Sequence, residues 1–136
     1  MITAVDTNIL LDILGAGEPF GPPSMSAMRR CIAEGAVVAC DVVWAETVAW
    51  FSSLAAFEEA MTQMRVRFEP VVPAAAAAAG TAWREYRATG GPRRRLVADF
   101  IVGAHAMVVA DRLLTRDRGF FRRYFTELRV LDPSRG

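Results

Sequence analysis

The chain has 136 residues, 53% of them hydrophobic, and a formal net charge of only +1; this is ample for one core in one domain spanning 1–136, without the overall field that marks a nucleic-acid binder. All 16 cationic side chains are arginine, which excludes Schiff-base chemistry, a phosphate-loop lysine and a receiver-type lysine. Cys31 and Cys40 fit neither a metal-ligand spacing nor a disulfide framework, and neither a leader nor an apolar run of about 20 residues is visible, so core thiols, a reducing cytoplasm and no membrane contact are expected.

Ile2 to Val5 reads as an apolar strand, ended by Asp6, Thr7 and Asn8, which are suited to cap a short helix from Ile9 to Leu14. A Gly/Pro loop over 15–23 follows; its glycine spacing misses the dinucleotide fingerprint by one residue. A helix from Ser24 to Glu34, stopped by Gly35, should lead into a buried strand from Ala36 to Cys40. Asp41 is suited to cap the next helix, whose Val42, Val43, Trp44, Val48, Ala49, Trp50 and Phe51 make it apolar on more than one side. A helix from Ala55 to Arg67 precedes an extended piece from Glu69 to Val72, and Pro73 with the alanine run to Ala79 starts a helix reaching Arg87. After the break at Thr89 to Pro92, the pattern predicts a helix from Arg93 to Ala110, a strand from Arg112 to Thr115, a helix from Arg118 to Phe125 and a strand from Leu128 to Leu131. Strands alternating with helices predict a three-layer α/β/α domain with a mostly parallel central sheet.

Four acids interrupt this pattern: Asp6 and Asp117 directly after strands, and Glu46 and Asp99 within apolar helical stretches. A carboxylate buried in such places is costly unless a positive charge meets it, and a shared divalent ion is the economical solution. The carboxyl ends of parallel strands form the usual crevice, so Asp6 and Asp117 should point the same way. Simpler roles exist for each: capping for Asp6 and Asp117, and a surface ion pair with Arg95 for Asp99. Oxygen ligands suit Mg²⁺ or Mn²⁺ rather than zinc. The single histidine, His105, lies six residues from Asp99 on roughly the opposite face of its helix and is expected to be structural. Arg84, Arg87, Arg93, Arg94 and Arg95 form one arginine group, and Arg112, Arg116, Arg118, Arg122 and Arg123 another. Either a solvated face or a phosphate-contacting rim accounts for them.

The ordered set Val5-Asp6-Thr7-Asn8, Glu46, Ala98-Asp99 through Ala106, and Leu113 through Phe120 resembles the PIN-domain family, and specifically the VapC-type toxins, over essentially the whole chain. The resemblance implies a PIN-like fold and an Mg²⁺- or Mn²⁺-dependent ribonuclease. Residue by residue, Asp6, Glu46, Asp99 and Asp117 match the acidic, metal-binding centre, and Asn8 and Thr115 match the polar positions that orient it. Where some relatives have a further aspartate this chain has Gly119, leaving at most four acids. A cation there would offset the charge of an incoming phosphodiester and acidify a water for in-line attack. Arg116 or Arg118 would contact the phosphates of a single-stranded or looped RNA.

As partner the resemblance implies a small VapB-type antitoxin, whose apolar helix lies in a groove and whose cation reaches the acids. The apolar helix with Val42, Trp44, Val48, Trp50 and Phe51 cannot hide every large side chain in one core face, leaving surface for this partner or a homodimer. Two other readings stay open: a PIN-type nuclease of routine RNA processing, and a non-catalytic α/β binding module whose acids only cap helices and pair with arginines.

Overall fold

The computed structural model describes residues 1–90 and 95–135. Its strands are β1 (Ile2–Val5), β2 (Ala36–Ala39), β3 (Val66–Phe68), β4 (Arg112–Leu114) and β5 (Val130–Leu131), joined by α1 (Thr7–Gly15), α2 (Gly21–Glu34), α3 (Asp41–Val48), α4 (Leu54–Gln63), α5 (Pro73–Ala88), α6 (Val97–Val109) and α7 (Arg118–Tyr124). The sheet order is β3-β2-β1-β4-β5, and every pairing is parallel. Thr3 is the register point of the centre, opposite Val37 on one side and Arg112 on the other. Parallel strands need right-handed crossovers, so the helices leading into β2 and β3 and those leading into β4 and β5 cover opposite faces. The expected three-layer α/β/α arrangement is therefore observed.

β1, β2 and β4 are nearly continuous buried runs, as strands covered on both faces should be. Several boundaries differ from the sequence expectation. α2 starts at Gly21, because Pro22 and Pro23 occupy its first turn, where a missing N–H costs nothing. Cys40, not Asp41, is the N-cap of α3; the Asp41 carboxylate instead accepts from the Val71 N–H at 2.7 Å. α4 ends at Gln63 because Arg65 adopts a left-handed conformation with φ 58°. β3 therefore begins at Val66, three residues before the predicted extended piece, with buried Val66 opposite Val37. The predicted helix start at Arg93 lies outside the described residues.

Gly35 brings the chain against its own beginning: a Cβ there would lie 1.8 Å from the Met1 carbonyl oxygen. Gly103 receives the Phe125 ring, whose nearest atom would be 2.5 Å from a Cβ. Phe100, Phe120, Tyr124 and Tyr86 pack edge-on or tilted around this contact and join α5, α6 and α7. Both cysteines are buried. Among the described residues no helix is long and apolar enough to cross a membrane.

The Arg112 side chain is only 1% exposed. It donates to Thr3 Oγ1 at 2.9 Å, to Cys31 Sγ at 3.5 Å and to Glu34 Oε1 at 2.6 Å, tying the central strands to the end of α2. The guanidinium beside Glu34 holds that carboxyl below its usual range. Arg112 is buried while the Glu34 side chain is 40% exposed, so the pair adds little over a well-packed apolar residue at 112, whereas a buried guanidinium left without its carboxylate is unfavourable. Glu34→Ala should therefore lower the thermal midpoint by several degrees, and adding Arg112→Met should recover most of the loss. Calorimetry of both variants tests this; a double variant no more stable than Glu34→Ala would refute it.

Candidate acidic active site

The sheet order reverses direction between β1 and β4, and a crevice forms where strands at such a point release their connections to opposite faces. Asp6 follows β1 directly, and Thr115, Arg116 and Asp117 follow β4. The Asp6 N–H donates to the Leu114 carbonyl at 3.0 Å, so strand pairing itself fixes these two segments side by side.

Asp6 caps α1, accepting from the Thr7 N–H at 2.8 Å, and its other oxygen accepts from Thr115 Oγ1 at 2.7 Å. The Thr115 hydroxyl in turn accepts from the Asp117 N–H at 3.0 Å. Asn8 spans the same gap, with its amide nitrogen 3.4 Å from both Asp6 Oδ2 and Thr115 Oγ1 and its carbonyl oxygen accepting from the Arg116 N–H at 3.3 Å. Asn8 and Thr115 thus lie between the ends of β1 and β4, each within hydrogen-bond reach of Asp6 Oδ2. Glu46, on α3, accepts from Thr7 Oγ1 at 2.6 Å. Sequence reasoning gave Thr7 only a capping role, yet its N–H and hydroxyl link Asp6 to Glu46. Its place between an aspartate and an asparagine at a strand end was the available signal.

Glu46 differs from expectation in being exposed rather than buried. Asp99 also has local partners: its Oδ2 accepts from the Leu96 N–H at 3.0 Å, and Arg95 stands 3.8 Å away. Arg95 binds Asp117 more closely, with both terminal nitrogens on its two carboxylate oxygens, one at 3.1 Å. The guanidinium also lies 4.2 Å over the Phe120 ring, and its pKa is raised chiefly by the hydrogen bond to Asp117. The simple ion pair expected between Arg95 and Asp99 is therefore a bridge between two of the four acids.

Arg116 is turned from the site. It forks onto Asp12 at 2.6 and 3.0 Å and stacks 4.0 Å from the Phe20 ring, with Ser24 Oγ donating to the same carboxylate. Arg118, at the start of α7, is half-buried. His105 is 1% exposed with Nε2 unpartnered, and burial lowers its pKa despite a hydrogen bond involving the Glu69 backbone; it stands apart from this network.

Burial pushes the Asp6 carboxyl up to about 6, against the hydrogen bonds from Thr115 and Thr7 that favour its ionised form, with Asp117 and Glu46 adding like-charge repulsion. Asp6 keeps part of its surface in solvent, but its carboxyl group is closed in, and desolvation of that group governs the shift. Among the described residues no three His, Cys, Asp or Glu side chains are close enough together, as placed, to hold a metal ion. The donor set nevertheless fits a hard divalent ion. All four donors are carboxylates, the innermost is short of positive charge, and two already share a cation in Arg95.

Comparison with solved structures reveals the same fold elsewhere. The VapBC2 structure from Rickettsia felis, bound to a DNA fragment from its promoter, aligns with TM-score 0.75 and 15% identity over 97% of this chain and 98% of that one. FitAcB from Neisseria gonorrhoeae aligns with TM-score 0.69 and 21% identity over 98% and 99%. Mycobacterium tuberculosis VapC20, a sarcin–ricin loop cleaving toxin, aligns with TM-score 0.53 and 19% identity over 82% and 86%. No curated protein matches the sequence. The sequence itself matches the PIN domain family over residues 3–125, within which Asp6, Glu46, Asp99 and Asp117 all fall, and the chain belongs to the PIN-domain family.

Proposed function

We propose that this protein is a metal-dependent ribonuclease of the cytoplasm and the toxin of a toxin–antitoxin pair, hydrolysing RNA phosphodiester bonds at the acidic site. The observation that carries the reading is the hydrogen-bonded chain from Glu46 through Thr7, Asp6 and Thr115 to the backbone of Asp117, with the innermost carboxyl raised to about 6, in a PIN-domain chain. Such a centre stores negative charge that only a cation relieves.

Asp6, Glu46, Asp99 and Asp117 are the residues that would hold Mg²⁺ or Mn²⁺, whose charge, when bound, offsets that of the phosphodiester and acidifies a water for attack. Thr115 fixes the Asp6 oxygen, Thr7 fixes Glu46, and Asn8 keeps the two strand ends together. Arg95 is an internal counter-ion for Asp99 and Asp117; once those carboxylates turn to another cation, its guanidinium is free beside an incoming phosphate. Arg118 remains available to the RNA backbone, whereas Arg116 is held by Asp12.

The antitoxin is supported by the complexes that share this fold and by the corner between α3 and α4, where Trp50 is 73% and Leu54 63% exposed. A homodimer would draw on the same kind of surface. Growth arrest by this chain alone, with rescue and co-purification when the adjacent upstream reading frame is co-expressed, is the expected outcome. Unimpaired growth with a soluble chain and no companion would point to routine RNA processing instead. One observation favours a non-catalytic module: each of the four acids already has a protein partner. Cleavage of total RNA by the purified chain, abolished by EDTA, separates that reading from a nuclease.

Asp6→Asn and Asp99→Asn keep shape while deleting a charge, and each should lower metal-dependent cleavage on the order of a hundredfold or more. Cleavage near the wild-type rate by either variant would remove that residue from the centre. Asp6 also sets a pH dependence. Its folded-state pKa lies above the ordinary 3.8, so its stabilising contribution is complete below about pH 4 and is lost as pH rises through 6. In metal-free protein the stability gain of Asp6→Asn over wild type should therefore grow from near zero at pH 4 to on the order of 2 kcal/mol at pH 7. Urea titrations at the two pH values measure it, and a pH-independent difference would contradict the assignment.

A further inference from the structure

The last turns of α5 present Trp83, Arg84 and Arg87, which with Tyr86 and Arg95 line a cleft of about 710 Å³. Three arginines and no acid line it among the described residues, although the 16 cationic and 15 acidic residues of the chain nearly balance. Arg84 and Arg87 form no ion pair with a described carboxylate, since the pairs present involve Arg30, Arg95, Arg112 and Arg116. Their charges are not consumed by the fold.

The aromatic side chains have two different roles here. Tyr86 is buried and braced by Phe100 and Tyr124 at ring distances of 5.4 and 5.3 Å, which makes the cleft floor rigid. Trp83 is half-buried, and the Arg87 guanidinium lies 4.8 Å from its ring centroid. A small anion would need only the arginines, and an apolar ligand would avoid them. A guanidinium plane laid over an indole, with neither Arg84 nor Arg87 in an ion pair to a described carboxylate, suits a ligand that is itself planar at one end and anionic at the other. Arg95 belongs both to the cleft lining and to the bridge over Asp99 and Asp117, so the cleft adjoins the acidic site.

We infer that this cleft is a subsite for one unpaired nucleotide of the RNA, next to the scissile phosphodiester, an assignment that rests on the ribonuclease reading above. Its base stacks on the layer that Arg87 and Trp83 form together, the flanking phosphates meet Arg84 and Arg87, and Arg95 marks the junction with the acidic centre. A base inside a duplex has both faces covered and cannot enter, so the cleft selects single strands or loops.

The test is fluorescence anisotropy with a short, labelled, uncleavable 2′-O-methyl single-stranded oligonucleotide and its duplex. Trp83→Ala should weaken single-strand binding about tenfold, with Trp83→Phe retaining most of the affinity. Arg84→Gln and Arg87→Gln should each reduce the slope of log K against log salt by about 0.7, and the duplex should bind less tightly and without dependence on Trp83. A Trp83→Ala protein with native circular dichroism and unchanged affinity would overturn the subsite, as would unchanged salt slopes or equal binding of the duplex. Binding is read without cleavage, so the two readings fail separately. Trp83-dependent binding by a chain that cuts no RNA keeps the subsite and removes the nuclease; RNA cleavage with Trp83 immaterial does the reverse.

Discussion

Parallel pairing of β1 with β4 is the constraint on which the rest of this molecule depends. It places Asp6 and the Thr115–Asp117 segment at neighbouring carboxyl ends, and the Asp6 N–H bond to Leu114 leaves little freedom in their spacing. The same pairing sets Thr3 against Arg112 at the other end, where the buried guanidinium reaches Cys31 and Glu34. One strand interface thus carries a cation toward α2 and a cluster of anions toward the crevice. The anions are tolerated because Thr115, Thr7 and Arg95 each neutralise or hydrogen-bond part of the charge.

That tolerance is incomplete. The Asp6 carboxyl is raised rather than lowered despite two good hydrogen bonds, because desolvation and two neighbouring acids outweigh them. Perturbed groups of this kind concentrate at functional sites, though ion-pair networks produce them too. A guanidinium shared by Asp99 and Asp117, and stacked on Phe120, shows that the site accepts positive charge from outside the acidic network. It also couples the acids to the arginine-lined cleft on α5.

Sequence reasoning located the elements wherever composition and geometry coincide. Ile2 to Val5 is apolar and forms the strand whose Thr3, Ala4 and Val5 are buried, Pro73 suits a first turn, and the alanine run favours helix. It failed where a single backbone conformation decided the boundary. Arg65 at positive φ ends α4 early, a conformation no side-chain pattern announces, and β3 moves with it. Pro22 and Pro23 were read with the glycines before them as one Gly/Pro loop; here they occupy the first turn of α2. Asp41 has the chemistry of a cap, but the Val71 N–H from a distant segment captured its carboxylate.

By itself the sequence determined the α/β architecture and the PIN-family likeness, and it singled out Asp6, Glu46, Asp99 and Asp117 as candidate acids, because residue type, spacing and strand ends are local properties. Only the tertiary structure decided who meets these acids. Thr7 bridges Asp6 to Glu46, 39 residues further on, Arg95 is held more closely by Asp117 than by Asp99 four residues away, and Arg116 leaves the site for Asp12. Each outcome depends on the distance and direction between segments far apart in the chain. Long arginine side chains can reach several carboxylates, and packing selects among them.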